Sequence, residues 1–196
     1  KEELADKFWS DLSTDRADGV LGVTLTRIRK LPCPVSLVNG WYVLEPEHLW
    51  YDVQEFEKGL ADAKRASSAS LRIPRLKQTL NLYHGDYLER MESTWVIEER
   101  ARLRQVCLSA LISLAEAYAE TDDLESALNT FQKASQVESF FEPAWLGAMQ
   151  VYLRMGNRAA AIAHYEKLKR ILHDEMGIEP GPEIQALYRD IINLKQ

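Results

Sequence analysis

The chain has 196 residues, 46% of them hydrophobic and 28% charged, a balance that favours one large or two small packed domains over disorder. No apolar run approaches the roughly 18 residues of a membrane span and no signal peptide is visible, so a cytoplasmic protein without a membrane partner is expected. The net charge of −6 excludes a surface that embraces nucleic acid throughout, and any DNA contact has to be local. Cys33 and Cys107 are far apart and form no CxxC, which reads as two reduced thiols rather than a disulfide or zinc site.

In chain order, Lys1 to Trp9 predicts a short helix with Leu4 and Phe8 one turn apart, and Ser13 or Thr14 offers an N-cap for the next helix. In that second helix Ala17, Leu21, Leu25 and Ile28 share one face, Gly22, Thr26 and Lys30 fall opposite, and Arg16 and Arg27 flank them. "PVSLVNGWYVLE" then gives two short apolar strands around Asn39-Gly40, a strong hairpin signal. Helix, turn, helix and hairpin together make a winged helix. Its charge is modest: from Arg16 to Trp41, the cations Arg16, Arg27, Arg29 and Lys30 exceed Asp18 by three. Gly19 and Gly22 each cost the helix roughly 1 kcal/mol.

Phe56, Leu60 and Ala63 form the apolar stripe of a further helix, and Ile73, Leu76, Leu80 and Tyr83 that of its partner. "SSAS" marks the bend between them, Pro74 is expected in the opening turn of the second helix, and Gly85 at its end. From Thr94 to about Ala119 one extended helix is expected, with Glu98, Glu99, Arg100, Arg102 and Arg104 as a solvated face joined by i,i+4 pairs.

From Leu111 onward the chain repeats itself. Leu111 and Trp145, Tyr118 and Tyr152, Asp122 and Gly156, Ala127 and Ala161, and Phe131 and Tyr165 are each 34 residues apart. Each unit predicts a first helix with an i, i+3, i+4, i+7 stripe, a polar turn ("ETDDLES", "RMGNRAA"), and a second helix presenting a small residue and then an aromatic. This resembles the tetratricopeptide repeat, a helical hairpin that stacks on its neighbours. Gly177 is expected to end a helix, "EPGP" to turn the chain, and Ile184, Leu187, Tyr188 and Ile191 to face inward from a capping helix.

"LNLYHGDYLERMESTWVIEERARLR", the two repeats and "LKRILHDEMGIEPGPEIQALYRDI" together resemble the bacterial transcriptional activator domain of SARP-type (AfsR-like) regulators, from roughly Leu49 to Leu194. Such regulators carry an OmpR-like winged helix ahead of it, and "FWSD", "TLTRIRK" and "GWYVL" are similar to its landmarks. The resemblance implies a mainly α chain: a tetratricopeptide-like helical-hairpin solenoid over residues 47–196, preceded by a partial winged helix-turn-helix with one β-hairpin wing over residues 1–46. The sheet and first helix that open an OmpR-like domain are missing before Lys1, as is an initiator Met, so a fragment of a longer regulator is expected.

By the same resemblance Asp15 to Lys30 is the recognition helix. Thr24, Thr26, Arg27 and Lys30 take groove-side or phosphate-side places, and Arg16, Asn39 and Trp41 reach the DNA backbone. Where such helices usually offer further Arg or Asn, this one has Asp18, Val20 and Gly22. The solenoid's first helices form a groove for a protein partner, with Gln150 and Arg154 as candidates. That partner is RNA polymerase, a second protomer or another domain of the same polypeptide. The competing expectation is an interaction scaffold whose winged helix no longer binds DNA. An enzyme is not expected: His48, His84, His164 and His173 show no metal-ligand spacing, no Cys adjoins a His, and no phosphate-cradling loop follows a strand. No catalytic residue, metal or cofactor is assigned.

Overall fold

The computed structural model describes residues 1–30, 35–44 and 50–193. Cys33, His48, the expected division at residues 46–47 and both ends of the expected resemblance, Leu49 and Leu194, lie outside the described residues. The chain opens with α1 (Glu2–Trp9), α2 (Thr14–Ile28) and an antiparallel pair, β1 (Val35–Val38) and β2 (Trp41–Leu44). Among the described residues seven helices follow: α3 (Asp52–Lys64), α4 (Ala69–Leu80), α5 (Thr94–Glu120), α6 (Leu124–Val137), α7 (Glu142–Arg154), α8 (Arg158–Met176) and α9 (Pro182–Asn193). Each of the seven packs on its sequence neighbours, and α5 also adjoins α7 as α7 adjoins α9, so the first helices of successive hairpins line one side of the stack. The architecture is a tetratricopeptide-like solenoid carrying a small, partial winged helix.

The two repeats turn in the same way, atom for atom. Asp122 and Gly156 both adopt left-handed backbone, with φ of 63° and 72°, and this bends the chain off the end of α5 and α7. The next amides then reach back to the carbonyls of the stripe tyrosines, Asp123 N to Tyr118 O at 2.9 Å and Asn157 N to Tyr152 O at 2.8 Å. The side chains of those same residues cap the following helices, Asp123 accepting from Ser126 N and Asn157 from Ala160 N, each at 3.1 Å. Every member of one set lies 34 positions from its counterpart.

Between the turns the stripes meet as their spacing requires. Leu111, Leu114 and Ala115 on α5, and Trp145, Ala148 and Met149 on α7, are buried, as are Ala127, Phe131 and Ala134 on α6 and Ala161, Tyr165 and Leu168 on α8. Gly147 supplies a contact that the stripes alone do not reveal: a Cβ built there would lie 2.3 Å from the Phe131 ring. The aromatic of one hairpin therefore fits only because the next helix has no side chain at that point. At the far end Gly177 ends α8 in left-handed backbone, Gly181 N donates to the Glu142 carboxylate at 2.8 Å, and α9 buries Ile184 and Ile191. Tyr188 stacks on Tyr165 with ring centroids 3.9 Å apart.

Three expectations need correction. The helix α4 ends at Leu80 rather than at Gly85, because residues 81–93 leave the helical path for a loop held by α5. Pro74 lies inside α4, the sixth residue from Ala69, and not in its opening turn. The charged face of α5 is not joined by i,i+4 pairs: Arg102 meets Glu99 and Glu57, Arg104 meets Asp86, and Arg100 donates to the carbonyls of Tyr87, Leu88 and Met91.

These contacts make two substitutions informative. Gly147→Ala is expected to destabilise the chain by roughly 1–3 kcal/mol through collision with Phe131, and Ala161→Leu by a similar amount through overpacking of the α7–α8 interface. Denaturant unfolding measures both, and wild-type stability in either variant contradicts the corresponding contact.

Candidate nucleic-acid interface and solenoid groove

The helix α2 is seated by Ala17, Leu21 and Leu25, all buried, with Ile28 half-buried beside them. On α1 the seating residue is Ala5, helped by half-buried Leu4 and Trp9, while Phe8 turns away from α2. Its ring meets Trp95 of α5 edge-on at 5.4 Å, with the Lys7 ammonium over the same indole. Phe8, one turn after Leu4, thus ties the winged helix to the first turn of α5.

The face of α2 opposite its buried stripe is open. Arg16, Thr26, Arg27 and Lys30 are exposed, and side chains added at Gly19 or Gly22 would meet nothing within 4 Å among the described residues. Val23, 55% exposed, lies on the same side. Thr24 is half-buried at the flank of the seated stripe, so the structure separates it from the other candidates. Thr26 donates its hydroxyl to the Gly22 carbonyl at 2.8 Å, which spends its donor within the helix and leaves its methyl and lone pairs outward. Asp18 does not stand alone as a repulsive charge, because Lys1 donates to it at 2.6 Å from the α1 side. The wing turns through Asn39 and Gly40, with φ of 51° and 85°, the pair of positive values that a type I′ hairpin requires. Val38 pairs with Trp41 next to the turn, and Trp41 is 64% exposed.

In the solenoid Gln150 is exposed on α7. Arg154 is exposed too, but it already donates to the Ala119 carbonyl at 2.8 Å and to Asp122 at 3.0 Å, bracing the α5–α6 turn from the next hairpin. Sequence reasoning missed a second brace. Arg100 holds three loop carbonyls at 2.8–3.1 Å, and Arg104 grips Asp86 through both carboxylate oxygens at 2.8 and 2.6 Å. Their i,i+4 spacing beside a Gly-Asp loop was the available signal. Arg104 is held further toward its charged form by Asp86, and Arg102 keeps the Glu99 carboxyl below the usual range. Burial pushes the Cys107 thiol up to about 11, so it stays protonated and inert near neutrality. Among the described residues no group of three His, Cys, Asp or Glu is arranged to hold a metal ion. Among them, too, no helix is long and apolar enough to cross a membrane.

The described residues thus join a partial winged helix to a tetratricopeptide-like stack of helical hairpins. The chain belongs to the bacterial transcriptional activator domain family, whose model matches residues 51–192. It is similar to the regulatory protein AfsR of Streptomyces griseus, 24% identical over 195 residues that cover 97% of this chain and 20% of that protein. It is also similar to the transcriptional regulatory protein MoaR1 of Mycobacterium tuberculosis, 29% identical over 81% of this chain and 52% of that one. Among solved structures, EmbR of Mycobacterium tuberculosis, in complex with a low-affinity phosphopeptide, superposes with a TM-score of 0.79 at 19% identity, covering 97% of this chain and 54% of EmbR. The chain thus spans about a fifth of AfsR and about half of MoaR1 and EmbR. AfsR is named as a regulatory protein and MoaR1 as a transcriptional regulatory protein.

The ring of His164 packs against Trp145 at 4.5 Å and Tyr152 at 5.7 Å, and burial lowers its pKa from 6.5 to about 4. Because the folded pKa is depressed, the unfolded chain binds this proton first. The stability present above pH 6.5 is therefore lost as pH falls toward 4, by about 2 kcal/mol after allowance for partial solvent screening. Comparing unfolding of wild type with His164→Phe across pH 7 to 4 should show this extra loss in wild type alone, and parallel profiles would contradict it.

Proposed function

We propose that the chain is the DNA-binding and partner-binding part of a cytoplasmic transcription regulator. Residues 1–46 act on DNA, and residues 47–196 act on a protein partner. The observation that carries the reading is the open face of α2: its apolar side is seated on α1, its other side presents Arg16, Arg27 and Lys30 with no neighbour among the described residues in front of Gly19 or Gly22, and a type I′ wing follows. In this reading Arg27 and Lys30 hold phosphates, Arg16 and the wing residues Asn39 and Trp41 approach the backbone, and the Thr26 methyl meets a base edge or thymine methyl. Thr24, half-buried, contributes from the flank. Charge supports a local footprint, since Asp18 is neutralised by Lys1 on the side away from the open face.

The solenoid, in the same reading, binds RNA polymerase, a second protomer or another domain of the same polypeptide along its first helices, with Gln150 as a contact. Arg154 can add only what its internal bonds to Ala119 and Asp122 leave free. A second reading, a scaffold whose winged helix is only a packing module, is favoured by the bare Gly19, Val20, Gly22 and Val23 surface.

DNA binding measured by fluorescence anisotropy at two salt concentrations, with full-length regulator and promoter DNA, separates the two. Arg27→Ala is expected to weaken binding to all sequences and to lower the salt slope by about one unit. Gly22→Arg, which enters open space, should raise affinity. If wild type shows no salt-dependent binding and Gly22→Arg gains none, the scaffold reading replaces the activator reading.

A further inference from the structure

We infer that the middle of α2 reads thymine methyl groups in the major groove, with Val23 as the principal contact and the Thr26 methyl beside it. The inference deepens the reading above that the open face of α2 lies toward DNA, and it rests on that reading. Along this face Arg16 stands one turn before Gly19, Lys30 stands one turn after Thr26, and Arg27 lies at the flank. The cations therefore frame the face without filling its centre, which is made of Gly19, Gly22, Val23 and Thr26. Val23 is 55% exposed, while Leu21 and Leu25 of the same helix are buried on the other side. A single exposed valine is ordinary; its neighbours make this one informative.

None of the four central side chains has a hydrogen-bond donor to offer a base. Both glycines and Val23 carry no polar side-chain atom, and Thr26 spends its hydroxyl proton on the Gly22 carbonyl at 2.8 Å, which holds its methyl outward. Guanine is read through its O6 and N7 acceptors and adenine through a paired donor and acceptor, so both need a donor that this surface lacks. The thymine methyl is the one base group in the major groove that is read by apolar contact. Among the described residues nothing stands in front of Gly19 or Gly22, and two positions without a Cβ let base edges come close to the helix backbone. The bare surface that would suit a packing module is, in this arrangement, the reading surface.

The test starts with selection of bound duplexes from a random DNA library by the full-length regulator. An enriched duplex is then measured by fluorescence anisotropy with deoxyuridine in place of thymidine at one position at a time, which removes only the base methyl. Enriched duplexes are expected to share T at one or more positions. Deoxyuridine there should lower wild-type affinity about fourfold per methyl, the effect of one buried methyl-sized group, and leave the salt slope unchanged because no phosphate contact is lost. Val23→Ala, and to a smaller degree Thr26→Ser, should bind the thymidine duplex more weakly and lose most of the sensitivity to deoxyuridine, whereas Arg27→Ala should keep it. Wild-type affinity indifferent to every deoxyuridine overturns the inference. So does a sensitivity that survives unchanged in both variants, because the methyl then acts through other residues or through duplex shape. In both cases salt-dependent binding by wild type leaves the DNA reading of α2 intact; no such binding at all overturns both.

Discussion

The contact on which the stack depends is the seating of the Phe131 ring against the bare backbone of Gly147. An aromatic that fills the space between hairpins is useful only if the facing helix comes near, and here a Cβ at position 147 would sit inside the ring's van der Waals shell. The same economy recurs where Ala127 and Ala161, both fully buried, let paired helices touch. Small residues set the distances, and the large ones, Phe131, Tyr165, Trp145 and Leu168, fill what those distances leave.

Close approach alone does not fix direction; the turns do that. Left-handed backbone at Asp122 and Gly156, a back-bond to the stripe tyrosine and a side-chain cap on the next helix give two hairpins the same exit angle, so each presents its neighbour with an equivalent face. Arg154 then binds the first of these turns from the following hairpin. Phe8 and Lys7 against Trp95 hold the winged helix to the long α5 strut, and α2 inherits an orientation from that contact through α1.

What the sequence makes legible is what depends on local spacing. The 34-residue period, the stripes, the Asn39-Gly40 turn and the Gly177 stop each follow from a few neighbouring residues whose backbone or packing demands are strong. The buried and open faces of α2 were legible for the same reason. What escapes is long-range. Arg100 and Arg104 look like a solvated face until the loop at residues 86–91 folds back on them, and Asp18 looks like a repulsive charge until Lys1, 17 residues away, comes to meet it. Half-buried Thr24, and Arg154 with its bonds to Ala119 and Asp122, escape on the same ground: a helical wheel gives direction but not what stands in front of it. The Gly147 contact is hidden too, because a glycine in a helix pattern signals only a cost until its partner ring is known.

In the proposed function the two ends of the molecule divide the work, an open helix face toward DNA and a groove toward protein, joined where Phe8 and Lys7 meet Trp95 at the start of α5. The most direct test is a titration of the isotope-labelled full chain with duplex DNA, followed by amide chemical shifts. Shifts are expected to concentrate on Arg16, Gly19, Gly22, Val23 and Arg27 of α2 and on Asn39 and Gly40 of the wing, with the amides of α6 to α9 unmoved. Shifts confined to the solenoid, or none at DNA concentrations that saturate the intact regulator, would contradict the proposed function.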